Sequence, residues 1–484
     1  MNILDRVIAG FSPRTGLRRA AARAALMHYQ ASDLHRREPS VRANGGNADL
    51  AAQGGREALS WIARDVTRNN PTAVRALTVI GNNVVGTGIE PRLITADAGL
   101  LDEWETHVLP RLNTLALDGD GALGLGGLQV QVAEAVARDG EVLVVWPENG
   151  QRGAQVRVLE IDYLDDQLQR RGGAAGGVVF DGVEYDANGK VIAYHLFEEH
   201  PGSPILWSGR ALTSRRVDAS RVLHIYRVDR PGQRRGVTWF APVLNDLVAL
   251  AANDEAQLMR QKIAALFAAF WRTEKPDPGI PTTLSPGLIQ QIGADDEVTF
   301  GNPPDVQGYD DFAKVHLRRV AVGLGITYEA LTGDLSNVNF SSARLGRIDM
   351  AQNVDRWQWS LMIPRLCMPL GSWILRQWAF DSASPATLRA LRQARIDWTP
   401  PPPVIADPKL ETEVAVRKIE AGLSSRHGEI RRMGWQPAEI DAEIAKDMPI
   451  RRDLAALKQP GAAPVLGDQG DGEPPQTEEE TSDA

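Results

Sequence analysis

Between Val243 and Glu274 the chain contains neither glycine nor proline, and Pro242 stands just before that stretch. A run that long without a breaker reads as one helix. Leu244, Leu247, Val248, Ala251, Leu258, Ile263, Leu266, Phe267 and Phe270 recur along it at helical spacing. At 1.5 Å per residue it would be a rod of about 45 Å. Backbone hydrogen bonds alone do not stabilise such a rod in water; its apolar stripe needs a partner.

The nearest candidate partner follows a Pro/Gly-rich excursion, Lys275 to Pro304, which carries the acidic turn Asp295-Asp296-Glu297. Asp310 to Leu324 reads as a shorter helix. Asp310 and Asp311 come first and Lys314, Arg318 and Arg319 follow, an order that complements the helix dipole. Next is the run from Gly323 to Arg344, a glycine-bounded polar loop. Ser342 to Phe380 is helical again, with bends expected near Pro364 and Pro369.

Upstream, Ala58 to Asn70 reads as helix, and Pro71 restarts a helix at its first turn, where its missing N–H is harmless. That helix is expected to end near Ile80, with Gly81, Gly86 and Gly88 supplying positive-φ positions. Leu128 to Arg138 has helical spacing. Val142–Trp146, Val156–Ile161, Val191–Phe197 and Val222–Tyr226 read as strands, with Asp186 to Gly189 as a turn and Gly172 to Gly177 as a loop. Pro400 to Pro403 is a stiff connector to a small helical unit from Pro408 to about Asp447. From Gln459 the chain is acidic, rich in Pro and Gly and poor in apolar residues, the composition of a disordered tail. The N-terminal stretch Met1 to Arg37 is arginine-rich, a composition shared by transit peptides and by surface helical arms.

At 484 residues and 43% hydrophobic content the chain has material for about three domains and their cores. Its apolar stretches fall short of the roughly 20 residues a membrane span needs. The single cysteine, Cys367, forms neither an internal disulfide nor a thiolate cage, which points to a reducing compartment. The net charge of -9 excludes wrapping nucleic acid by bulk attraction. Trp357, Trp359, Trp373, Trp378 and Trp398 crowd one region, as in a core or a subunit interface.

No catalytic constellation emerges. Gly121 to Gly127 and Gly172 to Gly177 lack the lysine of a phosphate loop. His195 and His200 with Glu198 and Glu199 have no evident third ligand and read as surface residues. Ser341 and Ser342 lack a nucleophile elbow. Asp295 to Glu297 reads as a solvated turn. The expectation is a non-enzymatic scaffold with no catalytic residue, metal or cofactor. The competing reading, a metal-dependent nucleic-acid-processing enzyme, requires clustered carboxylates.

Several blocks in order carry a resemblance: Arg64-Asp65 with Arg68-Asn69-Asn70, Gly81 to Ile89, Arg138-Asp139-Gly140-Glu141, Gly182 to Asp186 before Ala193-Tyr194-His195, Gly323 to Arg344, Trp398-Thr399-Pro400-Pro401, Asp407-Pro408-Lys409 and Gly422 to Ser425. Together they resemble lambda-family phage portal proteins from about Ser60 to Asp447. Phe340 stands where the family favours tyrosine. The resemblance implies a mainly helical α+β portal fold and a ring of twelve copies. It implies an N-terminal arm at 1–57, a wing at 58–240, a stem helix at 241–273 and a clip at 274–308. The returning stem helix is 309–324, the tunnel loop 325–343, a long wing helix and connector 344–404, the crown 405–450 and the tail 451–484.

It implies no membrane association and a capsid vertex assembled in the host cytoplasm. The partners implied are double-stranded DNA, a terminase large subunit, head–tail connector proteins, and major capsid and scaffold proteins. A domesticated prophage or gene-transfer particle could carry the same portal. On this reading Asp334, Asn337, Asn339, Ser341 and Ser342 face the channel. Lys314, Arg318 and Arg319 form a thin basic face, and Gly323, Gly325 and Gly333 let the loop shift.

Overall fold

In the computed structural model, residues 46–146, 155–171, 177–204, 213–265, 269–272, 297–300, 309–336, 338–382, 384–401, 408–433 and 437–457 are described. The fold is α+β and mainly helical. It divides into a large unit through Pro408 and a small one from Lys409 onward.

The large unit begins with α1 (Ala48–Ala52), α2 (Arg56–Asn69) and α3 (Pro71–Val84). Asn70 separates α2 from α3 and caps the latter, its side-chain oxygen accepting from the N–H groups of Thr72 and Ala73, with Pro71 at the first helical position. Contrary to the sequence expectation, Gly81 does not end α3. It sits inside the helix, where an added Cβ would lie 2.8 Å from the Glu134 carboxylate. Its value is close approach to a neighbouring helix, not a positive φ. Gly86 and Gly88 do adopt positive φ (55° and 133°) and turn the chain into β1 (Glu90–Ile94).

Two short helices, α4 (Ala98–Glu103) and α5 (Leu109–Leu112), lead to α6 (Leu125–Asp139), the helix against which Gly81 packs. Gly140 ends α6 at φ 94° and opens β2 (Glu141–Val145). β2 is the middle of a three-stranded antiparallel sheet, between β3 (Arg157–Glu160) and β9 (Val222–Tyr226). A five-stranded antiparallel sheet runs in chain order: β4 (Arg170–Arg171), β5 (Val178–Phe180), β6 (Val183–Tyr185), β7 (Val191–Phe197) and β8 (Ser214–Asp218). Because side chains alternate along a strand, β2 serves two cores. Val142 and Val144 enter the large helical core, while Leu143 joins Leu164, Val183, Tyr185, Tyr194, Leu196 and Val222 between the sheets.

The long helix α7 (Leu244–Ala265) is shorter than the sequence suggests. Residues Ala269–Arg272 form β10, paired antiparallel with β11 (Glu297–Phe300), so the run that reads as helix through Glu274 ends in a hairpin. Phe270, Trp271, Val298, Thr299 and Phe300 are aromatic or β-branched, residue types that favour strands, and the pairing of the two segments outweighs helical spacing there. Most of the excursion between these strands, including Asp295 and Asp296, lies outside the described residues.

The chain returns as α8 (Tyr309–Leu324), passes a short α9 (Tyr328–Thr332) and enters α10 (Phe340–Trp357). A π-helical stretch, Gln358–Cys367, contains Pro364 and joins α10 to α11 (Met368–Asp381). The expected bend is thus absorbed as an i→i+5 segment, a common way of housing a proline without breaking the rod. After α12 (Pro385–Gln393), β12 (Arg395–Thr399) pairs antiparallel with β1 and closes the unit.

The tryptophan cluster resolves into core and surface. Trp357, Trp373, Trp378 and Trp398 are buried; Trp373 stacks on Trp146 (centroids 5.5 Å), and Trp357 and Trp378 meet Trp239 and Trp104 in tilted pairs at 4.9 and 6.2 Å. Trp359 is exposed. Cys367 is buried. The small unit comprises α13 (Pro408–Glu420), α14 (Arg426–Arg432) and α15 (Pro437–Leu457). Arg426 and His427 on α14 both pair with Asp441 on α15.

Candidate functional site

The segment from α8 to α10 holds every residue the sequence singles out for a channel. Gly323 is not part of a loop: it lies in α8, and an added Cβ would sit 2.3 Å from Val243 Cγ1 at the start of α7. The turn proper begins at Gly325 (φ 71°), whose carbonyl accepts from Asn353 Nδ2 at 3.1 Å. Thr327 caps α9 and Gly333 (φ 73°) terminates it. Arg75 of α3 donates its Nε–H to the Ala330 carbonyl at 3.1 Å, tying the segment's root to the body.

Asp334 accepts from both the backbone N–H and the hydroxyl of Ser336 (3.0 and 2.6 Å), and those two bonds hold its carboxyl below the usual range. Asn339 and Ser342 form a reciprocal capping box at the start of α10. The Ser342 N–H donates to Asn339 Oδ1 at 2.8 Å, and the Asn339 N–H donates to Ser342 Oγ at 3.1 Å. Both side chains are therefore engaged by the backbone. Ser341 is exposed, and Asn337 lies outside the described residues.

The basic face is also partly engaged. Arg319 pairs with Asp246 of α7 (3.3 Å), which His316 contacts as well (3.0 Å). Lys314 reaches Asp310 at 4.0 Å, and Arg318 lies over the Tyr328 ring at 5.5 Å. With Tyr309 donating to Asp254 (2.5 Å), the Arg319 and His316 contacts to Asp246 clasp α8 onto α7. Of the three basic residues, only Arg319 bridges to α7; Lys314 pairs within α8 and Arg318 covers Tyr328 of α9.

Behind this segment lies a buried charge network that the sequence shows only as the block Arg138-Asp139-Gly140-Glu141. Glu141 is buried against Arg235 (2.7 Å) and His224 (2.8 Å), and it accepts the Gly236 N–H at 2.8 Å. Burial pushes a carboxyl up, but Arg235 and His224 more than offset that and hold Glu141 well below the usual range. Burial dominates at His224 and pushes the imidazole down, toward its neutral form. Arg64 of α2 joins Asp139 (2.8 Å) to Asp162 (2.5 Å), and these partners outweigh burial and raise its pKa.

His195 is not the surface residue the sequence suggests. It is buried on β7, with Glu184 at 3.4 Å. His200 does gain acidic neighbours, Glu160 and Asp162, close enough together to suggest a metal site. The hydrogen bonds argue against one. Gly202 N–H donates to His200 Nδ1 (3.0 Å), so Nε2 carries the proton it gives Glu160 (3.1 Å) and has no lone pair to offer. Arg64 also already occupies both acids, at 3.6 Å from Glu160 and 2.5 Å from Asp162. Glu198 pairs with Arg215. Among the described residues no helix is long and apolar enough to cross a membrane.

The family profile described as "Phage portal protein, lambda family" matches residues 35–358, more than half of the sequence. The chain belongs to the lambda family of phage portal proteins, a family of structural rather than enzymatic proteins. It is 27% identical over 472 residues to a probable portal protein of Halomonas phage phiHAP-1, covering 90% of this chain and 89% of that one. It is 24% identical to portal protein B of Escherichia phage lambda, covering 63% of this chain and 64% of that one. Among solved structures, a chain in the neck of an empty gene transfer agent particle is 15% identical with a TM-score of 0.47, over 82% of this chain and 96% of that one. An HK97-family portal protein from Corynebacterium diphtheriae is 10% identical with a TM-score of 0.32, over 72% of this chain and 96% of that one.

Proposed function

We propose that copies of this portal protein close into a ring of twelve at one capsid vertex, and that duplex DNA passes through the ring during packaging and ejection. The observation that carries this reading is membership of the lambda portal family across residues 35–358. In it, residues 58–240 form the wing, α7 and α8 the stem, 274–308 the clip, 325–343 the tunnel loop, 344–404 the long wing helix and connector, and 405–450 the crown. A closed ring needs head-to-tail contacts with a matching rotation, and the exposed apolar residues of α7 and α8 are suited to them.

The acidic balance suits passage. A duplex presents one negative charge per about 1.7 Å of axis, and a strongly basic hole would hold it. Here Arg319 is paired with Asp246, and the turn from Asp334 to Ser342 offers neutral or acidic groups. The motor is a separate terminase large subunit docking at the clip, later replaced by head–tail connectors. Major capsid and scaffold proteins surround the ring, which assembles in the host cytoplasm.

Negative-stain images of the purified chain test the ring directly: closed rings with a hole wide enough for a duplex are expected, and particles that are only lone protomers overturn it. Deleting Leu335 to Asn339 is expected to leave rings intact while blocking packaging or DNA retention. Normal packaging by that variant removes the role assigned to the loop.

A further inference from the structure

A cavity of about 180 Å³ opens between the five-stranded sheet and β9, lined by Tyr185, Tyr194, His224, Tyr226, Arg234 and Arg365 among others. Two guanidinium groups flank it. Arg234 lies over the Tyr185 ring at 4.3 Å and Arg365, from the π-helical stretch, over the Tyr226 ring at 4.4 Å. Neither has a carboxylate partner among the described residues. Gly189, at φ 78°, turns the β6–β7 hairpin so that an added Cβ would stand 3.4 Å from Arg234 Nη2, which leaves the guanidinium its place.

The inner wall adds a hydrogen-bonding group. Tyr194 is 6% exposed, and its hydroxyl has no hydrogen-bond partner among the described residues. Its ring meets His224 edge-on, and the His224 proton is committed to Glu141. The hydroxyl lines the cavity and is open to whatever enters it. Two buried carboxylates lie close by: Glu141 is paired with Arg235, and Asp49 accepts the backbone N–H of Arg234 at 3.0 Å, while neither forms an ion pair with the two cavity guanidinium groups.

We propose that this cavity is a carboxylate-binding site, taking the acidic side chain of a peptide segment presented by a partner protein between Arg234 and Arg365 and against the Tyr194 hydroxyl. The arginine forks match a carboxylate, and the tyrosine walls cover the methylenes that carry it. A recess of this size admits a side chain. A duplex backbone, a continuous convex rail, does not enter it, and the chain's charge of -9 opposes its approach. The cavity lies within one chain, so the proposal holds or fails whether or not rings form.

The test uses the full-length protein and a fluorescein-labelled decapeptide of alternating glycine and glutamate, read by fluorescence polarisation at low salt. Saturable binding is expected. The pair Arg234→Gln with Arg365→Gln is expected to weaken it about tenfold or more. Tyr194→Phe, which removes only an unpartnered oxygen, is expected to weaken it about threefold with no loss of melting temperature. The pair Arg389→Gln with Arg392→Gln removes the same charge from α12 and is expected to leave binding unchanged. Absence of saturable binding, equal loss in the α12 pair, an unaffected Tyr194→Phe, or displacement by a short DNA duplex at lower concentration than by unlabelled peptide would each overturn the proposal.

Discussion

The helical body and the α7–α8 pair differ in how far they enclose their apolar side chains. In the body, α2, α3, α6 and α11 bury most of their large apolar side chains, with Trp61, Val74, Met368 and Phe380 left exposed, and even its charges are enclosed, as at Glu141, Arg235 and Asp139. In the α7–α8 pair, only one end is covered. Leu244, Leu247 and Leu250 of α7 and Val320, Ala321 and Leu324 of α8 are buried, while Leu258, Met259, Phe312, Val315 and Val322 stand at 41–80% exposure. Leu345 and Ile348 on α10 are equally bare. A core that closes on itself fixes the protomer. A helix pair held by ion pairs such as Asp246–Arg319, with apolar residues left open, keeps its hydrophobic free energy for whatever packs against it.

The comparison breaks most visibly at the α6–β2 junction. Gly140→Ala would place a Cβ 2.4 Å from the Val237 carbonyl carbon and 2.5 Å from the Thr238 nitrogen at a positive φ, so backbone on two elements must move. Loss of soluble, folded protein is expected. Glu141→Ala leaves Arg235 buried without its partner, at a cost of about 3–5 kcal/mol, read as a fall in the urea midpoint.

Acid attacks the same network. The folded Glu141 carboxyl titrates below its ordinary 4.5, so the stability it gives is complete above that pH and drains as pH falls toward the folded value. The folded His224 imidazole stays neutral below its ordinary 6.5, where the unfolded chain takes up the proton, so this contribution too is present above 6.5 and lost on acidification. The two act together. The urea midpoint is expected to hold level above pH 6.5, to decline below it, and to decline again below 4.5, with His224→Gln removing the first stage. A midpoint that rises on acidification from 6.5 would contradict the burial of a neutral His224.

How much of this the sequence discloses differs between the regions. The helices of the body were legible because Asn70-Pro71 and Asp139-Gly140 are local signals whose physics acts within a few residues. Gly81 was misleading because its reason is Glu134, distant in sequence. The end of α7 was illegible for the same reason, since β10 exists through pairing with β11. The polar residues from Asp334 to Ser342 could be read as a turn, but not as a turn that uses its own side chains. That Asn339 and Ser342 cap a helix follows from where α10 starts, and the pattern Asn-x-x-Ser falls outside the usual Ser/Thr-x-x-Glu box. Arg234 and Arg365 carry no sequence signal. Two segments far apart in sequence, the one after β9 and the π-helical stretch, bring them to one cavity.

A smaller effect is expected at that cap. Asn339→Ala removes one acceptor at the start of α10 and costs about 1 kcal/mol. Because the cap is local, the loss is expected as faster hydrogen exchange across the first turns of α10, with the body unchanged. If Asn339 and Ser342 serve the channel only by shaping the turn, Asn339→Asp, which keeps the cap, is expected to package normally. Failure of that variant with the cap intact would show that the side chains themselves meet DNA.

The smallest effect on the protomer is expected on the bare stem. Val322 is 80% exposed, so Val322→Ser removes no internal contact of consequence, and the dissociated protomer's stability is expected to move by no more than about 0.5 kcal/mol. In a ring the same residue has a neighbour to lose, and repetition around a closed ring multiplies a small loss per interface. The variant is therefore expected to unfold like the parent at concentrations where both are dissociated, yet to need a higher concentration to form rings, as measured by sedimentation. A protomer destabilised by several kcal/mol would mean that α8 buries this residue against its own chain. Unchanged assembly would place the intersubunit contact on another face of the stem, with Leu345 and Ile348 of α10 the next residues to change.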